Sequence, residues 1–430
     1  MSHVHKEGYT PRLIDSYLQM FLDGLPALAL EGPKAVGKTV SASQIASTIL
    51  PVDEKRIRQS LQASPEIINT SKPPVLIDEW QYFPDIWNYV RRSVDAKAPA
   101  GSFILTGSAY PAGAKIHSGA GRIVRTRMRP LSLQERHLAC PVVQIKDCLS
   151  GKASEQTEFS AKACEVDYIA EITSSGFPGI RAFPKAAQVE QINSYLKNIA
   201  AVDFPDAGYN LRRPDSLLRW MTAYAAATGT TANYSEILDA ATAGESEKPS
   251  KATSIAYRDM LQNLWILDDV AAWIPGEGDF SRLKQAPKHF LADPALAAAL
   301  LGYDAEALRF GAEESRYDQR YGAIAGRLFE ALVALSLKTY AQVNQAHLRH
   351  FRTRNGDREV DFIIEKGRSI VAIEVKLAPT VSTKDIRHLL WLREKYGPRC
   401  KELIVVTTGP YAYRRKEDGV LVVPAALLGA

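Results

Sequence analysis

Gly32-Pro33-Lys34-Ala35-Val36-Gly37-Lys38-Thr39 fits GxxxxGK[ST] at every position. In that spacing the glycines let backbone N–H groups curl round a chain of phosphates, and the helix that follows adds positive potential. Lys38 would reach the β- and γ-phosphates and the Thr39 hydroxyl would ligate Mg²⁺. Residues Gly32 to Val40 are therefore expected to hold ATP. Downstream, Val75-Leu76-Ile77-Asp78-Glu79 is an apolar run that ends in two carboxylates, at the strand end where α/β sheets gather their ligands. Asp78 is assigned to the Mg²⁺ shell and Glu79 to polarising the attacking water. Phe103-Ile104-Leu105-Thr106-Gly107-Ser108 is a third run, closed by hydroxyls. Thr106 or Ser108 would bond the water or the γ-phosphate, and the plainer alternative is a turn.

A second constellation lies near the C-terminus. Glu330 falls in a helical pattern, Asp361 opens an apolar run (Val360 to Ile364), and Glu374-Val375-Lys376 closes the next one. Period two puts Glu374 and Lys376 on one face of a strand. Asp361 and Glu374 on paired strands would hold Mg²⁺ against a scissile phosphate, with Lys376 positioning or deprotonating water and Glu330 as a further metal ligand from the helix. The alternative is a buried Glu374–Lys376 ion pair in a module that binds DNA without cutting it. Between the two clusters, Arg125, Arg127 and Arg129 alternate along one run, while Arg122 stands at a glycine-rich turn. Arg122 is the candidate finger for phosphoryl-transfer charge on a neighbouring copy. Salt bridges or contacts to DNA phosphate are the other uses open to all four.

These side chains need a scaffold, and the chain offers an α/β one. Residues 1–148 alternate short apolar runs (Leu25 to Leu30, Val75 to Ile77, Phe103 to Thr106, Ile123 to Arg129) with helical patterns, including one from Thr39 to Leu50. Each run is bounded by Gly, Pro or a charge, as buried parallel strands are. Residues 149–305 begin with a polar, small-residue stretch (149–165) that predicts a surface linker. They continue as helices (Ser216 to Ala227, Tyr234 to Ala241, Lys251 to Leu264, with GESEKPS before the last) and two strand-like pieces (Trp265 to Trp273, His289 to Ala292). Helices followed by a small hairpin predict a winged-helix-like middle domain. Residues 306–430 give helix, three strands, helix and strand, a second α/β unit.

Composition limits the rest. Of 430 residues, 46% are hydrophobic and 23% charged, which excludes a disordered, collagenous or coiled-coil chain. Cys140, Cys148, Cys164 and Cys400 form no CxxC pair and read as cytosolic thiols. No apolar run nears the roughly 20 residues of a membrane span, and the first ten residues have no apolar core of a signal peptide. A cytoplasmic location is expected. The net charge of +5 is uneven: from Glu306 onward 21 Lys and Arg face 15 Asp and Glu. That basic third predicts a polyanionic partner there, against the plainer reading of scattered solvated charge.

The sequence resembles the prokaryotic AAA+ type ATPases that carry a C-terminal domain of unknown function related to the restriction-endonuclease-like fold. The stretches that carry the resemblance are Tyr9 to Asp15, LEGPKAVGKT, PPVLIDEWQYFPDIWNYVRRSVD, GSFILTGSA, GAGRIVRTRMRPLSL, APKHFLADPALAAALLG, GRLFEALV and the Asp361 to Lys376 region. The resemblance implies a sheet order of five-one-four-three-two in the ATPase unit. It also implies that Tyr9 to Arg12, with Pro11 and Arg12 in the nucleotide site, lies near the adenine. The expected function is an Mg²⁺-dependent ATP hydrolase coupled to binding, remodelling or cleaving DNA, branched DNA included. The expected assembly is a homo-oligomer, a ring being one form of it. The alternative is a regulatory or protein-remodelling ATPase whose C-terminal module is an inactive binding domain.

Overall fold

In the computed structural model the described residues are 9–110, 118–155, 164–209, 211, 213–242, 250–275, 285–313, 319–353 and 355–430. The first unit is a parallel sheet of β1 (Ala27–Glu31), β2 (Thr48–Pro51), β3 (Val75–Asp78), β4 (Phe103–Gly107) and β5 (Val124–Arg127), in the order β2-β3-β4-β1-β5. This is the order the resemblance implies. β1, β3 and β4 are buried along their whole length, because side chains alternate into two cores. Leu28, Leu30, Leu76 and Ile104 face one core; Ala29, Ile77, Phe103 and Leu105 face the other. Helix α1 (Leu13–Leu22) precedes the sheet, and α2 (Lys38–Ile45) leaves the loop after β1.

One expectation here is corrected. The helix predicted over Thr39 to Leu50 ends at Ile45, and Thr48–Pro51 is the edge strand. Ala46 is already extended, and Ser47 donates its N–H to the Pro74 carbonyl 2.9 Å away. An edge strand with one buried residue in four leaves no alternating signal to separate it from a helix tail.

The middle helices lie close to where the sequence puts them: α3 (Pro214–Ala226), α4 (Tyr234–Ala241) and α5 (Lys251–Asn263). The two strand-like pieces that follow pair antiparallel through bridges of Leu267 with Leu291 and Val270 with Lys288, and the Asp268 and Ala292 N–H groups donate to the Phe290 and Ile266 carbonyls at 2.8 Å each. Ala272 bridges on to His350, so this segment joins the C-terminal sheet. Most of GESEKPS and residues 156–163 of the expected linker fall outside the described residues. The linker's described ends are not a free loop: Arg414 donates to the Ala153 carbonyl (2.6 Å), and the Cys164 N–H bonds the Pro410 carbonyl (2.8 Å).

The middle region closes with α6 (Pro294–Leu300), and the C-terminal unit opens with the long α7 (Gln319–Val343). Its six-stranded mixed sheet holds β7 (His347–Arg352), β8 (Glu359–Lys366), β9 (Ser369–Val375), β10 (Cys400–Thr407), β11 (Tyr413–Arg414) and β12 (Leu421–Pro424), with α8 (Thr383–Tyr396) packed on it. β7, β8 and β9 run antiparallel; β9, β10 and β12 run parallel. The last strand, β13 (Leu428–Gly429), returns to pair with β6 (Val143–Gln144). One buried core runs through all three regions, from Leu28 through Trp220 and Phe329 to Val423. The four cysteines are free thiols, and among the described residues no helix is long and apolar enough to cross a membrane.

Candidate active site

The loop between β1 and α2 is held by close backbone approach. A Cβ at Gly32 would stand 2.4 Å from the Met128 carbonyl oxygen, and Gly37 has φ +102, a conformation that favours glycine. Ala35 also takes a positive φ of 63, so successive N–H groups turn inward as a nest for anions. Lys38 is buried, its ammonium on the Gly32 and Pro33 carbonyls at 2.9 Å each. Burial lowers its pKa to about 8, against the opposing pull of Glu79 and Asp78. Two neutral carbonyls leave one of its three donors unused, which fits a group awaiting phosphate oxygens. Lys34 points elsewhere, to Asp203 at 2.6 Å. Val40 is exposed.

Asp78 is the centre of the site. Its Oδ1 accepts from the Thr39 hydroxyl at 2.8 Å and also from the Thr106 hydroxyl. Thr39, Asp78 and Thr106 are thus brought together, with Thr106 serving the carboxylate where the water or the γ-phosphate was expected. Glu79 has φ 53. Its carboxylate accepts from Gln81 Nε2 and from Ser108 Oγ at 3.3 Å. Gln81, which the sequence reading passed over, also bonds Ser108, and its Oε1 is buried with no hydrogen-bond partner. A Cβ at Gly107 would stand 3.0 Å from that oxygen and 2.6 Å from Trp80 Nε1. Thr39 and Asp78 offer Mg²⁺ the hydroxyl and carboxylate donors it favours.

Arg12 lies beside the loop, fully engaged. It donates to Glu135 (3.0 Å), to the Val36 carbonyl (3.1 Å) and to the Arg129 carbonyl (2.6 Å). Its guanidinium therefore braces the loop from behind, and Pro11 is exposed next to it. Arg122 is exposed and pairs with Asp95 at 2.8 Å. The neighbouring arginines divide their roles: Arg125 lies over the Trp87 and Tyr110 rings, while Arg127 and Arg129 both grip the buried Asp268 at 2.8 Å.

The C-terminal carboxylates converge around a cation the sequence reading did not assign. Lys288 Nζ is buried 2.7 Å from Glu330, 2.9 Å from Asp361 and 3.5 Å from Glu359. Asp361 stands one residue beyond the β8–β9 ladder and accepts the Val375 N–H at 2.9 Å. Glu374 bonds Lys376 at 2.8 Å, while its other oxygen is buried with no hydrogen-bond partner. Burial and then the Asp361 charge raise Glu330 and Glu374 to about 8. The three carboxylates raise Lys288 above its ordinary value despite its burial, so it stays charged. Of the expected Mg²⁺ ligand set, Glu330 and Asp361 are brought together on Lys288, while Glu374 pairs with Lys376. An ammonium stands between Glu330 and Asp361, and no metal-holding group of acids, His or Cys is found among the described residues. Lys288 belongs to APKHFLADPALAAALLG, a stretch whose sequence shows its likeness but not its contacts.

Helix α5 turns several of its polar side chains inward. Tyr257 is buried, and Asn263 bonds both backbone groups of Tyr110, at 3.0 and 3.1 Å.

Residues 25–137 match the model of the AAA domain family. The first unit is an AAA-type P-loop domain. Residues 166–307 and 325–428 match two families described as domains of unknown function, DUF8612 and DUF4143. Among solved structures the chain is similar to the Walker-type ATPase paby2304 of Pyrococcus abyssi, at 14% identity and a TM-score of 0.40, over 70% of this chain and 98% of that one. It is also similar to CDC6P from Pyrobaculum aerophilum (11%, 0.22, over 70% and 96%) and to the Aeropyrum pernix ORC2 protein in ADPNP–ADP complexes (12%, 0.28, over 77% and 98%). No curated protein matches the chain.

Proposed function

We propose that this chain hydrolyses ATP at the Lys38–Thr39–Asp78–Glu79 site. The observation that carries this reading is the convergence of the Thr39 and Thr106 hydroxyls on one Asp78 oxygen, beside a Glu79 carboxylate held by Gln81 and Ser108. Thr39 and Asp78 would hold Mg²⁺, whose charge offsets the charge spread over the phosphates. Lys38 binds the phosphates, and the backbone N–H groups of residues 34–37 orient them. Glu79 holds and deprotonates the water, and Gln81 and Ser108 fix its direction. Arg122, exposed and held by surface Asp95 and the Ala120 carbonyl, acts on the site of a neighbouring copy. Steady-state phosphate release tests the assignment. Glu79→Gln is expected to bind ATP and not turn it over, and Lys38→Ala to lose binding. A Glu79→Gln rate equal to wild type would sink it.

The partner in this reading is DNA, favoured by the excess of Lys and Arg from Glu306 onward. The C-terminal unit acts on it as a binding module, because Lys288 supplies the positive charge that a metal would bring to a cleaving site. Duplex and branched DNA are expected to raise the ATPase rate without being cut in Mg²⁺ or Mn²⁺. A rate indifferent to every DNA tested would favour a protein partner.

A further inference from the structure

A cavity of about 550 Å³ opens where α1, the end of β5 and the C-terminal end of α7 meet the start of β7. It is separate from the nucleotide loop and from the Lys288 cluster. Its floor carries three cations, Arg127, Arg129 and Lys338, with Arg349 at the wall. The carboxylates that face them are Asp268 and Asp269. Asp268 is buried and takes all three floor cations, with Arg127 and Arg129 at 2.8 Å and Lys338 at 3.4 Å. Asp269 is engaged by the Tyr224 and Tyr234 hydroxyls and faces His289. Positive charge therefore exceeds negative here, with Arg349 and without it.

Two observations point this excess toward a ligand. Arg127 Nε is buried with no hydrogen-bond partner, an unused donor on a guanidinium whose other nitrogens are committed to Asp268 and to the Trp265 and Leu267 carbonyls. Burial and the neighbouring arginines depress Lys338 to about 8 even beside Asp268. An anion would relieve both. Tyr17 and Phe21, ring centroids 4.6 Å apart, give the opposite side of the cavity an aromatic wall.

We propose that this cavity binds a phosphomonoester of mononucleotide size, its phosphate on Arg127, Lys338 and Arg349 and its ring on Tyr17 and Phe21. A doubly charged phosphate matches the excess of cations, and planar guanidinium forks recognise phosphate through paired hydrogen bonds. The volume is that of a small-molecule site, which spans roughly 300–1,000 Å³. Because the floor is built from β5, the strand next to β1, the ligand would touch the ATPase sheet and α7 together.

The test uses the full chain carrying Lys38→Ala, so that the phosphate loop does not contribute. Calorimetric titrations with AMP, ribose 5-phosphate and inorganic phosphate separate the phosphate from the ring. AMP is expected to bind one per chain and more tightly than ribose 5-phosphate, with inorganic phosphate weakest. Arg349→Ala and Lys338→Met, each added to that chain, are expected to weaken AMP at least about tenfold, or 1.4 kcal/mol. Arg349 serves if Lys338→Met fails to fold, since its side chain makes no ion pair or hydrogen bond among the described residues. No binding of any of the three at about 10 mM, a level too weak for a specific site, overturns the proposal. So does AMP binding that neither substitution alters.

Discussion

Gln81 shows how much of the nucleotide site a motif conveys and where it stops. The sequence names Lys38, Thr39, Asp78 and Glu79 because their chemistry is tied to fixed spacing. Gln81 lies two residues further on in WQYF, with no pattern to mark it, yet it bonds Glu79 and Ser108. Gln81→Ala is expected to lower kcat by about tenfold to a hundredfold while ATP affinity stays within a factor of about two, because it orients the base and touches no phosphate. Equal kcat values would remove it from the site. Glu374 makes a pH prediction. Its folded pKa is raised above the unfolded value, so the folded state holds its proton more tightly. Stability is unaffected by this group below about pH 4, falls as pH rises toward about 8, and levels off above it. Glu374→Gln is therefore expected to leave the midpoint of denaturant unfolding unchanged at pH 4 and to raise it at pH 8.5, by on the order of 1–2 kcal/mol. A loss of stability at pH 8.5 would contradict this.

Among the elements, those with strong periodicity were legible and those defined by their neighbours were not. β1, β3 and β4 announce themselves as apolar runs, and α3, α4 and α5 come within a few residues of their expected bounds. β2 was hidden because an edge strand carries little apolar signal, whereas the two pieces expected as a wing pair antiparallel at Leu267–Leu291 and Val270–Lys288, and Ala272 carries the segment on to His350. Lys288 was missed for a related reason: its partners lie on α7 and β8, and no local pattern shows a contact across that distance. Asp293 is a second such residue. It caps α6 through the Ala295 N–H at 3.0 Å, and its other oxygen takes Ser175 Oγ at 2.8 Å and the Gly176 N–H at 2.7 Å. Removing it leaves three buried donors without an acceptor. Asp293→Ala is expected to destabilise the protein by about 3–5 kcal/mol, seen as a lower urea midpoint, while Asp293→Asn loses less. A surface-like change below about 0.5 kcal/mol would show that the three donors find other partners.

On the scale of the whole molecule, the three regions share one core and are stitched together. Gln342 of α7 donates to the Thr126 hydroxyl and the Arg127 carbonyl at 2.9 and 2.8 Å, and Ala430 donates to Gln134 at 2.9 Å. The ATPase sheet therefore cannot move far without α7. Assembly is the remaining variable, and Arg122 is where it can be tested. Its pair with Asp95 is solvent-exposed, 41% and 39% of each side chain. A pair of that kind contributes only about 0–1 kcal/mol, so a neighbouring γ-phosphate can draw the guanidinium away at small cost. Arg122→Ala is expected to keep ATP affinity and lower kcat by about 10³-fold or more, the range of an arginine finger. Mixed with Lys38→Ala it is expected to recover part of the rate, since one copy supplies the intact loop and the other the arginine. Phosphate release per chain is expected to rise with protein concentration for the wild type. A rate per chain that is flat from nanomolar to micromolar concentration, in a protein that sediments as a monomer, would confine Arg122 to its bonds with Asp95 and the Ala120 carbonyl.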